Sequence, residues 1–296
     1  MMRDTPAFRN DTPPPASSGP IPAAPTPAQA AWGPPRVPGP LRPAPHAPEW
    51  GRHARRLVRR GLRIIRLLTL FFVFSTVAVT LIYRFVPPPV TPLMVLRLWD
   101  QYRAGDDLTL KKTWTPLAAM SPWVPAAVVT AEDQRFFEHH GFDFHAIEDA
   151  RAHNRRSRER MQAGRRAAPL RGASTISQQT AKNVFLWPAR SWTRKGLEVW
   201  FTFLIETLWT KERILEVYLN VAETGDGMYG MPVAARHFFG RDVRHLNRAQ
   251  AARLAAVLPN PRSWSAASPP RHVRRRQERI QRQMPAFYRR YDVPEK

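Results

Sequence analysis

The 296-residue sequence has no cysteine, which excludes disulfides, thiolate zinc sites and cysteine nucleophiles. That absence permits an oxidising compartment without requiring one. Acidic residues are scarce as well: 23 Asp and Glu stand against 46 Lys and Arg, a formal net charge of +23. The excess runs along the whole chain, since residues 1–66 hold 11 Arg against 3 acids and leave 35 basic and 20 acidic residues downstream. Such a balance suits nucleic acid, anionic lipid headgroups or a phosphorylated substrate, and charge alone does not choose among them. Internal repeats and strong strand alternation are missing too, so the expected fold is mainly α.

Residues 1–50 have few large apolar side chains and contain fifteen prolines, a composition that cannot offset its own ordering entropy and reads as a disordered tail. A basic juxtamembrane segment follows at 51–66. Leu67 to Tyr83 is an uncharged apolar run of 17 residues, about the minimum that crosses a bilayer core as a helix, with Arg66 and Arg84 placed to snorkel. The region before it is too long for a cleaved signal peptide, and the run reads as a retained anchor. Arg52, Arg55, Arg56, Arg59, Arg60, Arg63 and Arg66 precede it, whereas Arg84, Arg97 and Arg103 follow beside Asp100. The tail is therefore expected in the cytoplasm and the domain outside, a topology that argues against nucleic acid as the partner. The outer domain is expected over 84–268, with a basic C-terminal segment at 269–296 facing water or anionic headgroups.

Within that domain the spacing predicts a helix from Pro125 to Phe137, with Glu132 and Asp133 inside it. Residues 155–169 are Arg-rich and read as a mobile loop or solvated helix end. The next helix is expected to start near Ser174, capped by its hydroxyl. Leu197 to Trp209 is too short to span a bilayer and suits a core helix; Ile214, Leu215, Tyr218 and Leu219 form one stripe on the segment Lys211 to Asn220. Asn247 to Leu258 reads as a helix with Asn247 as cap, Gln250 at the capping-box position and Pro259 as stop.

The residues that could carry chemistry are acids set in apolar helices: Glu132, Asp133, Glu198 and Glu206. Burial can raise a carboxylate toward the range a general base or acid needs, although such an acid is more often an ion-paired structural group. The stretch RGASTISQQTAKNVF offers a hydroxyl-rich helix start with Gln178 and Lys182 four apart, which suits phosphate binding as well as it suits plain capping. Arg194 and Lys195, one turn before Glu198, extend the polar face, and a divalent cation could bridge such a Glu to a pyrophosphate. His139, His140, His145 and His153 lack a metal-ligand pattern and are expected to pack and hydrogen-bond.

Five blocks occur in an order that resembles the peptidoglycan polymerases of glycosyltransferase family 51, and among them the monofunctional biosynthetic transglycosylases. They are EDQRFFEHHG at 132–141, RGASTISQQTAKN at 171–183, RKGLE at 194–198, KERILEVYLN at 211–220 and AARLAAVLPNP at 251–261. The resemblance implies a lysozyme-like glycosyltransferase domain behind a single N-terminal transmembrane helix in the cytoplasmic (inner) membrane, the catalytic domain periplasmic. It implies lipid II and the growing lipid-linked glycan strand as partners, alongside other cell-wall synthesis proteins. Glu132 would be the general base, supported by Asp133. Ser174, Thr175, Gln179, Lys182, Asn183, Arg194 and Lys195 would line the donor site. Glu198 would be a second carboxylate, holding Mg2+ or another divalent cation, with no organic cofactor. Lys211 would help place the acceptor, while Glu216, Tyr218 and Asn220 would support the cleft. No SxxK, SxN or KTG set appears, so strands would be polymerised without cross-linking. The rivals are a glycan hydrolase, which the cations beside the acids disfavour, and a membrane scaffold acting through the proline-rich tail.

Overall fold

The computed structural model describes residue 39, residues 49–189 and residues 191–291. The proline-rich tail expected over 1–50 lies, apart from Gly39 and the first two residues of helix α1 (Glu49–Phe85), outside the described residues. Contacts divide the chain into Met1–Val58 and Arg59–Lys296, and the packing described below lies within the second unit. The expected basic segment and apolar run belong to one continuous helix, whose part Ala54–Phe85 is long and apolar enough to cross a membrane. Its hydroxyls are satisfied internally: Thr69, Thr76 and Thr80 donate to the carbonyls of Ile65, Phe72 and Thr76 at 2.7–2.9 Å. Its last turns are not free. Trp200 Nε1 donates to Thr76 Oγ1 at 3.2 Å and Trp209 Nε1 to the Thr80 carbonyl at 2.8 Å, and Thr80 is fully buried. Arg213 donates to the end-of-helix carbonyls of Tyr83 and Val86 at 2.8 and 3.0 Å, satisfying groups that the helix itself leaves open.

Helix α2 (Pro92–Ala104) starts at a Thr91 cap and stops at Gly105 in the left-handed region. Strand β1 (Lys111–Lys112) pairs in parallel with β3 (Met228–Tyr229), which pairs antiparallel with β2 (Glu223–Gly225). These pieces are too short for alternation to show in the sequence. The remaining helices are α3 (Trp123–Glu132), α4 (Phe144–Gln162), α5 (Ile176–Phe185), α6 (Trp192–Leu208), α7 (Lys211–Val221), α8 (Met231–Phe239), α9 (Arg248–Val257) and α10 (Arg271–Tyr291). The Arg-rich stretch from 155 thus begins as the exposed end of α4, the solvated-helix alternative for that part.

Two packed groups dominate. Helix α3 lies against α9 and α10, and α5 lies against α6 and α7. Ala126 and Ala127 of α3 and Ala251, Ala252, Ala255 and Ala256 of α9 are all buried, small side chains that let backbones approach. Asn247 caps α9 and shares a reciprocal capping box with Gln250, as its spacing predicts. The C-terminal segment departs from expectation. Val273, Gln277, Ile280, Met284 and Tyr288 form a buried stripe down α10, and Tyr288 Oη donates to the Pro122 carbonyl at 3.1 Å. The helix therefore belongs to the core, and a domain edge at 268 cuts through packed structure; only its opposite, arginine-bearing face meets solvent.

Asn220 pins the segment after β1. Its side-chain amide pairs with both backbone groups of Thr115 at 2.9 Å and donates to the Glu216 carbonyl at 2.8 Å, while being fully buried. Asn220→Ala strands the Thr115 N–H and C=O and should cost about 2–4 kcal/mol, read as a shift in denaturant midpoint of the detergent-solubilised protein.

Candidate active site

Glu132 is the last residue of α3, and its carboxylate is gripped from two walls. Gln179 Nε2 on α5 donates to Oε2 at 3.0 Å, and Arg276 Nη2 on α10 donates to Oε1 at 2.9 Å. Arg276 also reaches the Ala131 carbonyl at 3.1 Å. The Glu132 side chain keeps 13% of its surface exposed, toward a groove of about 630 Å3. The groove runs between the start of α4, the segment 170–175 and α10, and Arg135, Arg171, Arg276 and Arg290 make its wall strongly basic. Arg276 was assigned no role from the sequence, where it sits in a run of arginines. The signal that could have found it is the apolar spacing of Val273, Ile280 and Met284, which turns that face of α10 inward.

The helix expected to continue to Phe137 ends at Glu132. Asp133 leaves the helical region at φ −160°, ψ 80°. Its buried carboxylate accepts from the Ile176 N–H, at the amino end of α5, at 3.0 Å and from His139 Nε2 at 2.9 Å. His139 Nδ1 accepts from the Gly141 N–H at 3.1 Å, so the ring proton sits on Nε2 and faces Asp133. Packing and hydrogen bonding are indeed what His139 does. Gly141 adopts φ +88°, and a Cβ there would stand 2.8 Å from Thr202 Cγ2, so the turn requires glycine. Asp133 thus works on protein groups; its part in the site is to position Glu132 and α5.

The amino end of α5 is capped by Thr175, one residue later than expected. Its hydroxyl accepts from the Gln178 N–H and donates to the Gly141 carbonyl at 2.7 Å, and Gln178 returns a bond to the Thr175 N–H. The capping reading of Gln178 therefore prevails over the phosphate one. Ser174 is exposed in the groove. Gln179, Lys182 and Asn183 follow on one face of α5, Asn183 buried. Lys211 turns away from the groove: its ammonium donates to the His139 carbonyl at 2.6 Å and to Glu206 at 2.8 Å, over the Phe136 ring at 4.6 Å. Ser177 also donates to Glu206. Lys211 is therefore a clamp on the 133–141 turn, and the expected acceptor contact has no support in its position.

Helix α6 carries the cationic cluster. Glu198 is buried, with Arg194 Nη1 at 2.7 Å from Oε2 and the Lys195 ammonium on Oε1. Both carboxylate oxygens are engaged by cations, and no group of three His, Cys, Asp or Glu side chains suited to a metal ion occurs among the described residues. A divalent ion at Glu198 does not fit this arrangement. Lys182 differs from its neighbours in having no hydrogen-bond partner among the described residues. Burial holds its ammonium below the usual lysine range; Glu198 opposes that shift, Arg194 and Lys195 add to it, and Glu132 opposes it. The site thus contains an underneutralised cation beside two already oriented ones, suited to an anion with several oxygens.

The family model described as Transglycosylase matches residues 103–285. Several relatives bear the name biosynthetic peptidoglycan transglycosylase. The one from Pseudomonas aeruginosa is 51% identical over 215 residues, covering 73% of this chain and 88% of that protein. Those from Chromohalobacter salexigens and Caulobacter vibrioides are 48% and 47% identical, covering 77% and 78% of this chain and 93% and 92% of theirs.

Asp133 gives the site its most direct stability test. An asparagine there has one acceptor oxygen for two donors and turns an amide N–H toward one of them. Asp133→Asn should lower stability by about 2–4 kcal/mol. A denaturant melt unchanged from wild type would show that this junction is not needed.

Proposed function

The chain belongs to the transglycosylase family, and from that premise we propose that it polymerises lipid II into peptidoglycan strands, with Glu132 as the base that activates the acceptor. The family makes it a glycosyltransferase of peptidoglycan synthesis; the residue roles and the stereochemistry below are our reading. One observation carries it: Glu132 and Lys182 lie within electrostatic reach of one another, and Lys182 has no hydrogen-bond partner among the described residues, whereas Asp133, Glu198, Glu206, Arg194, Lys195 and Lys211 are bonded to protein groups.

In this reading Glu132 takes the proton from the 4-hydroxyl of the acceptor N-acetylglucosamine as that oxygen attacks C1 of the donor N-acetylmuramic acid. Undecaprenyl pyrophosphate leaves from the opposite face, so the configuration at C1 inverts. Negative charge grows on the leaving oxygens, and Lys182, Arg194 and Lys195 act where that charge develops. Glu198 keeps Arg194 and Lys195 extended toward one another before substrate arrives, which spares reorganisation during reaction. Ser174, exposed in the groove, would meet a sugar or phosphate oxygen. Helix α1 would cross the cytoplasmic membrane with its arginine-rich amino end inside, keeping the domain beside two lipid-linked substrates.

Glu132→Gln should lower polymerisation of purified lipid II by a factor of about 10² or more while lipid II still binds. Polymerisation at the wild-type rate would overturn the base assignment. Lys182→Met should weaken binding of a diphosphate lipid by roughly ten- to a hundredfold. Wild-type affinity in that variant would remove Lys182 from the leaving-group site. The pH dependence has a definite sign. Burial makes the empty-site ammonium lose its proton below the usual lysine range, and a bound diphosphate restores it. Diphosphate affinity should therefore fall as pH rises through that lowered range, and this dependence should vanish in Lys182→Met.

A further inference from the structure

Behind Glu132 the hydrogen bonds have a direction. Gln179 Nε2 faces Glu132 Oε2 at 3.0 Å, and Gln179 Oε1 faces Tyr218 Oη at 3.1 Å. An ionised carboxylate only accepts, so the amide must present its NH2 to Glu132, and its oxygen then needs a donor on the other side. Tyr218 supplies that donor. Its ring is buried in α7, and burial, then the neighbouring Glu132 charge, push the phenol well above the usual tyrosine range, so its O–H remains a donor. The reverse amide orientation sets two acceptors against each other at Glu132. Without the tyrosine hydroxyl, no hydrogen bond among the described residues except that to Glu132 distinguishes the two ends of the Gln179 amide.

We propose that Tyr218 is a positioning residue for the transfer reaction: by fixing the amide orientation of Gln179 it keeps a donor on Glu132, and with it the aim and the ionised state of the base. Gln179, expected from the blocks to touch the donor substrate, has both ends of its amide committed to this relay. The inference rests on Glu132 being the base. The other groups facing Glu132 are Arg276 from α10, bonded to Oε1, Lys182 from α5, and Asp133 beside it on the turn. Arg276 grips the opposite oxygen independently, so loss of the relay weakens one of two holds and lowers activity without abolishing it.

The test is the pH profile of lipid II polymerisation by the full-length protein. Tyr218→Phe removes one oxygen and keeps the ring. Because the ionised base then lacks a reliably oriented donor, the acid limb of kcat/KM should move to higher pH by about half a unit to one unit. Gln179→Met should move the same limb in the same direction. The double variant should shift no further than Gln179→Met alone, because the hydroxyl acts only through the amide. KM for lipid II should change less than kcat. An acid limb unmoved in Tyr218→Phe, with or without a lower melting temperature, would reduce Tyr218 to packing; additive shifts in the double variant would equally overturn the relay. Gln179→Met decides the same point if Tyr218→Phe does not fold: an unmoved limb there sinks the proposal. Failure of the underlying reading looks different, since Glu132→Gln would then retain polymerisation whatever the limbs do.

Discussion

The carboxylate of Asp133, buried between the end of α3 and the start of α5, is the constraint on which the site depends. It accepts the Ile176 N–H at a helix amino end, where backbone donors and dipole both favour negative charge, and it accepts His139 on the other side. To reach those partners the backbone must leave the helix at residue 133. That departure makes Glu132 the last helical residue, free to turn into the groove, and brings the start of α5 close enough for Gln179 to meet it one turn later. Lys211 on α7 secures the same turn from below through the His139 carbonyl, while Thr175 secures it through Gly141. Three helices are tied to one short turn, and Glu132 is positioned as a by-product of that junction.

The charged groups divide by what they already touch. Asp133 and Glu198 are buried, Glu206 is partly buried, and each is bonded and holds something else in place: α5, the Arg194 and Lys195 pair, or Lys211 with Ser177. Burying such acids is tolerable because each meets donors on both sides. Lys182 is the exception, desolvated and without a hydrogen bond among the described residues. A substrate anion can gain there without displacing a protein partner, whereas at Glu198 a metal ion would have to expel two cations. Preorganisation in this chain therefore comes from acids that orient bases, and the cost is concentrated on one lysine.

Helix α6 links that chemistry to the membrane. Its middle turns carry Trp200, bonded to Thr76 and tilted over Phe72 at 6.1 Å, and its end carries Trp209 on the Thr80 carbonyl. Its first turns carry Arg194, Lys195 and Glu198. A rigid helix thus fixes the cation cluster relative to the membrane-crossing candidate α1. The domain is not a globule on a loose tether, because α1 enters its core contacts.

By itself the sequence determined whatever is decided within a turn or two of chain. The Asn247 and Gln250 capping box, the apolar run of α1, and Arg194 and Lys195 one turn before Glu198 are all legible because the partners lie three or four residues apart. The ordered blocks added the chemistry, since they name which acids belong together. Tertiary structure decided what spacing cannot reach: Arg276 meets Glu132 across 144 residues, Asp133 meets Ile176 across 43, and Tyr218 meets Gln179 across 39. For the same reason α3 stops five residues short of its periodicity and the basic final segment becomes a core helix. A distant hydrogen bond or a buried stripe outweighs local propensity once the chain is folded, and no window of sequence contains both partners.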